Sequence, residues 1–429
     1  MLLTGSSSGT GKRKTMSNSL PNEVVAEILS RLSVKSVIRF RCVSKTWCSL
    51  ISSPHFIATY LSRALSIPQY PSNLVFHHFD YRLKKDRPPA IRIRLLSLDP
   101  QIQERSLVTD RLDFIRDPSD SIGPLCYSNC MHVIGSSNGL FCLTRGFDSY
   151  VLCNPCIQKA ISIPHPNIGR GGLMENQSLG FGYCPKTDDY KVVRVVYVVA
   201  TTHSLVEIYT LRTGAWRSFT APGPPYYFGE PIGGNSLCNS FFNGAVHWPA
   251  RTPKHQRPFH HLIVSFNMED EVFREMAMPK SLQGDQEISE FFMAVVDGLL
   301  ALIPCRDDED MPVWVMKEYG RAESWTKQFD IKFECGAYAY GPIGFRKNGE
   351  VLLEDQEGNL CSYERNSEQS WYLHINDISD WLYFDSYVET LALLNVADGV
   401  LGVQATASCV GKLKAKEKKR KRKIRMLGQ

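Results

Sequence analysis

The chain has 429 residues, 43% hydrophobic and 22% charged, which is the composition of an ordinary globular protein. Its net charge of +5 includes +9 from Lys412–Arg425 and +3 from Lys12–Lys14, which leaves −7 for the rest. This mildly acidic body argues against a fold that binds nucleic acid through a basic face. Thirteen scattered cysteines, with no signal-peptide pattern and no apolar run of membrane-spanning length, indicate a nuclear or cytosolic protein with reduced thiols.

The N-terminal part divides into a leader and a small helical module. Residues 1–17 are rich in Ser and Gly, which predicts a disordered leader. Residues 18–62 carry apolar side chains at helical spacing until "SSPHF" interrupts the pattern, which predicts two or three short helices. A module of this size is close to the lower limit for a stable core of its own. We therefore expect it to bind a partner.

The first predicted helix, "LPNEVVAEILSRL", is apolar on more than one face. Helical spacing predicts one apolar stripe made of Val25, Ile28, Leu29 and Leu32. Val24 and Ala26 widen this stripe beyond what a single core face needs. Exposed apolar area of this kind is typical of an interface with another protein.

Residues 72–405, which follow a linker at 63–71, show the period-two pattern of β-strands. Hairpin signals recur at Asn138-Gly139, Asn243-Gly244, Asp297-Gly298, Asn348-Gly349 and Asp398-Gly399. The glycines lie 105, 54, 51 and 50 residues apart, and "DDYKVV" marks the member missing from the first gap. Two hairpins per period of about 50 residues predict an all-β propeller of about six blades, with seven as the alternative. Strands within 72–98 and a strand at 387–394 would pair to close the ring.

No motif for catalysis or for binding a cofactor stands out in the sequence. Cys153 and Cys156 have the spacing of half a zinc site, but no second pair of cysteines or histidines follows them. A nucleophile elbow, a paired-carboxylate signature and a phosphate-cradling glycine loop are all missing from the sequence. We therefore predict no catalytic residue, no metal and no cofactor.

Residues 406–429 form a basic tail, which we predict to be disordered because its like charges repel one another. Its densest cluster is a candidate nuclear-import signal made of Lys418, Lys419, Arg420, Lys421, Arg422 and Lys423. We expect the protein in the nucleus and the cytoplasm.

The helical module closely resembles the F-box, the motif that docks on the Skp-type adaptor of cullin–RING ubiquitin ligases. The stretch "SLPNEVVAEILSRLSVKSVIRFRCVSKTWCSLISSPHF" carries the resemblance, and Ser33 stands where the family commonly has proline. The resemblance implies that the adaptor-binding residues are Leu20, Pro21, Ile28, Leu29, Leu32, Val37, Val43, Trp47 and Leu50.

The β-rich part is similar to the kelch-like F-box-associated domain of plant F-box proteins. The matching stretches are "LGFGYCPKTDDYKVVRV", "VEIYTLRTGAWRSF" and "FFNGAVHWPA", whereas the paired glycines of true kelch repeats are missing from most periods. The resemblance implies a propeller whose loops bind a target protein.

Together the two resemblances imply a substrate-recognition subunit of an SCF-type ubiquitin ligase. Its F-box would bind a Skp-type adaptor and through it a cullin, while the propeller holds the target beside the ubiquitin-charged enzyme. The chain would itself catalyse no reaction and would bind no membrane. The alternatives are a propeller enzyme or carbohydrate- or small-ligand-binding protein with an incidental helical leader, and a nuclear scaffold whose tail binds nucleic acid.

The basic tail generates a first testable prediction. Deleting Lys412–Gln429 should leave the melting temperature almost unchanged, because a self-repelling tail buries no apolar surface. If the tail directs import, the shortened protein should move toward the cytoplasm when its distribution is measured by microscopy. A large drop in melting temperature would show instead that the tail packs on the fold.

Overall fold

The computed structural model describes most of the helical module and of the β-rich part. The described residues are 20–67, 73–79, 91–97, 110–111, 131–145, 148–168, 174–198, 204–219, 225–228, 241–252, 260–284, 288, 290–305, 310–332, 342–346, 349–354, 360–372 and 383–396.

Four helices open the described chain: α1 (Asn22–Ser30), α2 (Val34–Phe40), α3 (Lys45–Ile51) and α4 (Pro54–Ser66). The break predicted at "SSPHF" is present at Ser52–Ser53, between α3 and α4, and the helical pattern resumes within the same stretch. The Phe56 N–H donates to the Ser53 hydroxyl at 3.2 Å and Pro54 occupies the first turn, so this stretch begins α4. The helix continues to Ser66, into the residues predicted as a linker. No described helix is both long and apolar enough to cross a membrane.

The four helices share one core, to which each contributes residues at helical spacing. Its buried members from the helices are Val25, Leu29, Val34, Val37, Ile51, Phe56 and Tyr60. Each such side chain stabilises the module by about 1.5–3 kcal/mol through burial. The Tyr60 hydroxyl also donates to the Leu32 carbonyl at 2.8 Å, which fixes the end of α1 against α4.

The described strands form six antiparallel sheets, five with four strands and one with five. The strands that precede the repeats are β1 (Asn73–Phe79), β2 (Ile91–Ser97) and β3 (Asp110–Arg111). The first blade holds β4 (Met131–Ser137), β5 (Leu140–Arg145), β6 (Ser149–Asn154) and β7 (Lys159–Ile163). The second holds β8 (Met174–Cys184), β9 (Asp189–Val198), β10 (Leu205–Thr210) and β11 (Ala215–Ser218).

The third blade has an inner edge made of two short strands, β12 (Tyr227–Phe228) and β13 (Phe241–Phe242), which both pair with β14 (Ala245–Arg251). Beyond β14 lie β15 (His261–Asn267) and β16 (Phe273–Ala277). The fourth blade holds β17 (Glu290–Val296), β18 (Leu299–Cys305), β19 (Met311–Met316) and β20 (Trp325–Ile331). The fifth holds β21 (Pro342–Phe345), β22 (Glu350–Glu354), β23 (Leu360–Glu364) and β24 (Gln369–Tyr372), and β25 (Phe384–Tyr387) follows it.

The predicted hairpin turns join the first strand of a blade to the second. Asn138, Asn243 and Asp297 have φ of 47°, 49° and 50°, and the glycine after each also has positive φ. Both central residues are therefore left-handed, as a type I′ turn requires, and the turn prediction at these positions is confirmed. The Asp398-Gly399 signal lies outside the described residues.

Consecutive blades contact one another around a ring through their first strands, except that the third blade does so through β14, the strand beside its short inner edge. The contacts run from β4 to β8, β8 to β14, β14 to β17, β17 to β21, and β21 to β25. The Ser136 hydroxyl of β4 then donates to the Asp385 carboxylate of β25, and Phe141 stacks on Tyr387 with ring centroids 5.8 Å apart. The propeller predicted from the repeats is confirmed, and its six described sheets agree with the expected number of about six.

The ring closes through a sheet that combines the two ends of the propeller. In this closing blade β25 pairs with β1, and the order is β25-β1-β2-β3. Pairing of the N-terminal strands with a C-terminal strand was expected, but the strand predicted at 387–394 is wrong. The last strand among the described residues is β25, and the leucines that follow it are buried against helices and other blades rather than in a sheet.

A chain that begins at residue 100 tests this closure. It lacks β1 and β2, so β25 loses its partner strand β1 in the closing blade and the fifth blade faces an incomplete neighbour. We expect this chain to be insoluble or molten, measured by near-ultraviolet circular dichroism and thermal unfolding. Cooperative unfolding at the full-length melting temperature would contradict the closure.

Candidate functional site

Helix α1 has a buried side and an exposed side, and both are apolar. Val25 and Leu29 lie in the core of the helical module. On the exposed side Leu20, Val24 and Ile28 follow one another at intervals of four residues and are 59%, 42% and 49% exposed. Val24 and Ile28 lie one above the other on α1, because residues four apart share a face of a helix, and Leu20 precedes the helix, which begins at Asn22. These three exposed side chains are called the α1 stripe.

The structure separates the nine residues implied by the F-box resemblance into three groups. The exposed residues are Leu20, Pro21, Ile28 and Val43. The half-buried residues are Leu32, Trp47 and Leu50. The buried residues, Leu29 and Val37, belong to the core, so they support a binding surface from beneath without reaching a partner.

Val24 belongs to the exposed stripe but is not among the nine adaptor-binding residues that the F-box resemblance implies. Its signal was present in the sequence, because it lies four residues before Ile28 and four after Leu20. The predicted stripe of Val25, Ile28, Leu29 and Leu32 mixed the two sides of α1, since Ile28 faces solvent and its neighbours face the core.

Trp47 is held in place from two directions at the edge of the module's core. Its ring meets Phe40 edge-on, with centroids 5.4 Å apart. Its backbone N–H donates to the Ser44 hydroxyl at 3.1 Å, which caps α3. A partner that contacts Trp47 would therefore meet a fixed ring, and truncating this side chain would also disturb the packing of the module.

Charged side chains border the apolar stripe. Arg31 Nε donates to Glu27 Oε1 at 3.0 Å, and Arg63 Nη1 of α4 lies 3.6 Å from the same oxygen. The hydrogen bond and charge of Arg31 lower the pKa of the Glu27 carboxyl. An apolar centre with a paired, solvated charge beside it matches the core-and-rim arrangement of protein interfaces.

The helical module lies on one particular face of the propeller. Its core includes Cys156 and Ile157 from the connection between the third and fourth strands of the first blade. The connections between first and second strands open on the same face, because strand direction alternates along each antiparallel sheet. The connections between second and third strands, and those between blades, open on the opposite face.

The tight turns on the module's face are tied together across blades. Lys186 and Lys191 of the second blade pair with Glu269 and Glu271 of the third at 2.9 and 2.8 Å. Arg365 of the fifth blade pairs with Asp297 in the first turn of the fourth blade. These polar groups on the module's face are therefore occupied by intramolecular partners.

The candidate import residues Lys418–Lys423 and the leader at 1–17 lie outside the described residues. Cys153 and Cys156 lie within them but in different surroundings, the first in the core of the first blade and the second against the helical module. Among the described residues no group of three or more His, Cys, Asp or Glu is placed to hold a metal ion.

Comparison with known families agrees with both parts of the structure. The F-box domain family matches residues 17–59, and the family of the F-box associated beta propeller domain matches residues 90–390. F-box protein CPR1 of Arabidopsis thaliana is 25% identical over 397 residues, covering 87% of this chain and 89% of that protein. An F-box/kelch-repeat protein of the same plant is 26% identical over 386 residues, covering 88% of this chain and 96% of that protein.

A four-helix module with an exposed apolar stripe, fixed to a closed propeller, defines an adaptor-binding receptor. The chain belongs to the family of plant F-box proteins that carry an F-box-associated β-propeller. This combination of domains is that of a substrate-recognition subunit of an SCF-type ubiquitin ligase, in which the F-box binds a Skp-type adaptor.

The exposed stripe of α1 generates a prediction about adaptor binding. Changing Val24→Glu and Ile28→Glu together should weaken binding of a Skp-type adaptor by about 2–4 kcal/mol, because two carboxylates would enter an apolar interface. Calorimetry or surface plasmon resonance measures the affinity. Stability should change by only about 0.5 kcal/mol per site, since both side chains are half exposed.

Leu65→Glu on α4 is the matched control, because Leu65 is an apolar side chain of the same module and is 54% exposed. This variant should bind the adaptor like the wild type. Equal loss of binding in the control and the double variant, or full binding in both, would contradict the assignment of the stripe.

Proposed function

We propose that this protein is a non-catalytic receptor that brings one or more target proteins to a cullin–RING ubiquitin ligase. The α1 stripe binds a Skp-type adaptor, which connects the chain to a cullin. The propeller binds the target on the face opposite the helical module. Ubiquitin transfer to the target is then accelerated by proximity, because a bound lysine has a high effective concentration beside the charged enzyme.

The observation that carries this proposal is the stripe of Leu20, Val24 and Ile28. The other side of α1 is already buried in the module's core, and that core includes residues of the propeller. The stripe is therefore free for a separate chain while the module stays attached to the target-binding domain. This arrangement supports a link between two proteins rather than a site for bond chemistry.

The proposal extends to where the protein acts. The basic cluster at Lys418–Lys423 supports import into the nucleus, and we propose that the protein acts in both the nucleus and the cytoplasm. We propose that its partners include neither a membrane nor a nucleic acid. The chain outside the two basic runs carries a net negative charge, which agrees with this proposal.

Reconstitution tests the proposal directly. Purified full-length protein is combined with a Skp-type adaptor, a cullin–RING pair and the ubiquitin-activating and ubiquitin-conjugating enzymes, and targets are identified by proximity labelling in plant cells. We expect ubiquitin transfer to a captured target only when adaptor and cullin are present. The Val24→Glu, Ile28→Glu variant should still capture the target and should fail to support transfer.

Two outcomes would contradict the proposal. Ubiquitin transfer that proceeds without the cullin–RING pair would show that the chain has its own catalytic activity. Wild-type protein that does not bind the adaptor at micromolar concentrations would show that the stripe serves another partner.

A further inference from the structure

The residues just after β25 lie between the propeller and the helical module. This 388–396 segment contains no strand, and its three leucines point into different cores. Leu391 and Leu394 join the core of the helical module, whereas Leu393 joins the core shared by the first and second blades. One short segment therefore belongs to two hydrophobic cores at once.

The helical module contacts this segment through polar groups as well. The Val34 N–H, at the start of α2, donates to Glu389 Oε2 at 3.3 Å. The Ser33 side chain makes no capping hydrogen bond to α2, and Glu389 provides an acceptor for the first of the four N–H groups that have no partner within the helix. Asn395 Nδ2 donates to the Ser52 carbonyl at the end of α3.

On the propeller side the segment is held by Asn154, which is completely buried at the end of β6. Its Nδ2 donates to the Thr390 carbonyl at 3.0 Å and to the Ala392 carbonyl at 2.8 Å. Its Oδ1 accepts from the Cys156 N–H at 3.2 Å. Both amide hydrogens and the amide oxygen are used, so only an amide of this size satisfies all three groups.

The backbone of the segment fits closely and is locally strained. A side chain on Gly139, in the first turn of the first blade, would place a Cβ 2.1 Å from the Val388 carbonyl oxygen. Leu393 has φ of +68°, a left-handed conformation that leucine adopts only when its surroundings impose it. The path of the segment is thus determined by its contacts and not by local preference.

We propose that Asn154 is a positioning residue that fixes the orientation of the F-box on the propeller through the 388–396 segment. With the segment in place, the α1 stripe and the target-binding face keep one relative orientation. The effect of this fixed orientation on ubiquitin transfer rests on the proposed function, because proximity accelerates transfer only when the geometry permits the two bound partners to meet. The orientation itself can be measured without any target.

Asn154→Asp is the variant that tests this role in the full-length protein. Aspartate has nearly the same shape and still accepts from the Cys156 N–H, but it directs a carboxylate oxygen at two carbonyl oxygens. Asn267→Asp is the matched control. The Asn267 Oδ1 accepts from the Glu269 and Asp270 N–H groups at 2.8 and 3.2 Å, and aspartate keeps both hydrogen bonds.

Hydrogen exchange of the full-length protein bound to its adaptor gives the readout. In Asn154→Asp, the amides of α2 and of the 388–396 segment should exchange about tenfold to a hundredfold faster, because the Ala392 carbonyl loses its donor and a carboxylate oxygen faces both carbonyls. Small-angle X-ray scattering should show a larger radius of gyration. The strands of the third and fourth blades should exchange as in the wild type, adaptor affinity should be unchanged, and Asn267→Asp should show none of these effects.

Faster exchange confined to the 388–396 segment, with α2 and the scattering unchanged, would overturn the proposal. If Asn154→Asp destabilises all blades, hydrogen exchange of the Glu389→Ala variant provides the test instead. This substitution removes the acceptor at the start of α2 without altering the propeller. Faster exchange in α2 of that variant supports the proposal, and unchanged exchange overturns it. Failure of the wild-type protein to bind the adaptor would count against the proposed function alone, since orientation can still be measured by scattering of the free chain.

Discussion

The backbone hydrogen bonds between β25 and β1 join the two ends of the propeller within one blade. In their register Asn73 lies opposite Tyr387 and Phe76 opposite Phe384. Without this pairing both the fifth blade and the first would border an incomplete sheet with exposed strand edges. The 388–396 segment starts directly after β25, so the same hydrogen bonds also determine where that segment lies. Closure of the ring and attachment of the F-box therefore depend on one strand pair.

This dependence explains how so small a helical module is stable while one side of α1 stays exposed. A module of about 45 residues has a marginal core of its own. Leu391 and Leu394 enlarge that core from outside, each contributing about 1.5–3 kcal/mol through burial. The propeller thus supplies apolar partners on one side of the module, and the stripe of Leu20, Val24 and Ile28 remains for another chain.

Features set by local chemistry could be predicted from the sequence, whereas those set by distant contacts could not. The turns at Asn138-Gly139 and Asp297-Gly298 need positive φ at both residues, a requirement visible in two letters. Residues 387–394 have an apolar pattern that fits a strand, yet their partners are helices and another blade's core, far away in sequence. Arg194 and Glu207 are another case. They form a fully buried ion pair at 2.7 Å, although single charged residues in strands normally indicate an exposed position.

The stretch Cys153-Asn154-Pro155-Cys156 shows why residue type alone does not reveal a role. Its spacing is that of half a zinc site, but the two cysteines lie in different surroundings, one in the core of the first blade and one against the helical module. Burial raises the pKa of the Cys156 thiol to about 12 and also raises that of Cys153. Asn154, which lies between the two cysteines, instead donates to the Thr390 and Ala392 carbonyls and accepts from the Cys156 N–H. Cys156 contributes as well, because its thiol donates to the Thr390 carbonyl at 2.9 Å and its N–H also donates to the Tyr387 hydroxyl at 3.1 Å. Leaving a buried carbonyl unsatisfied costs about 1–3 kcal/mol, so the amide of Asn154 matters most at Ala392.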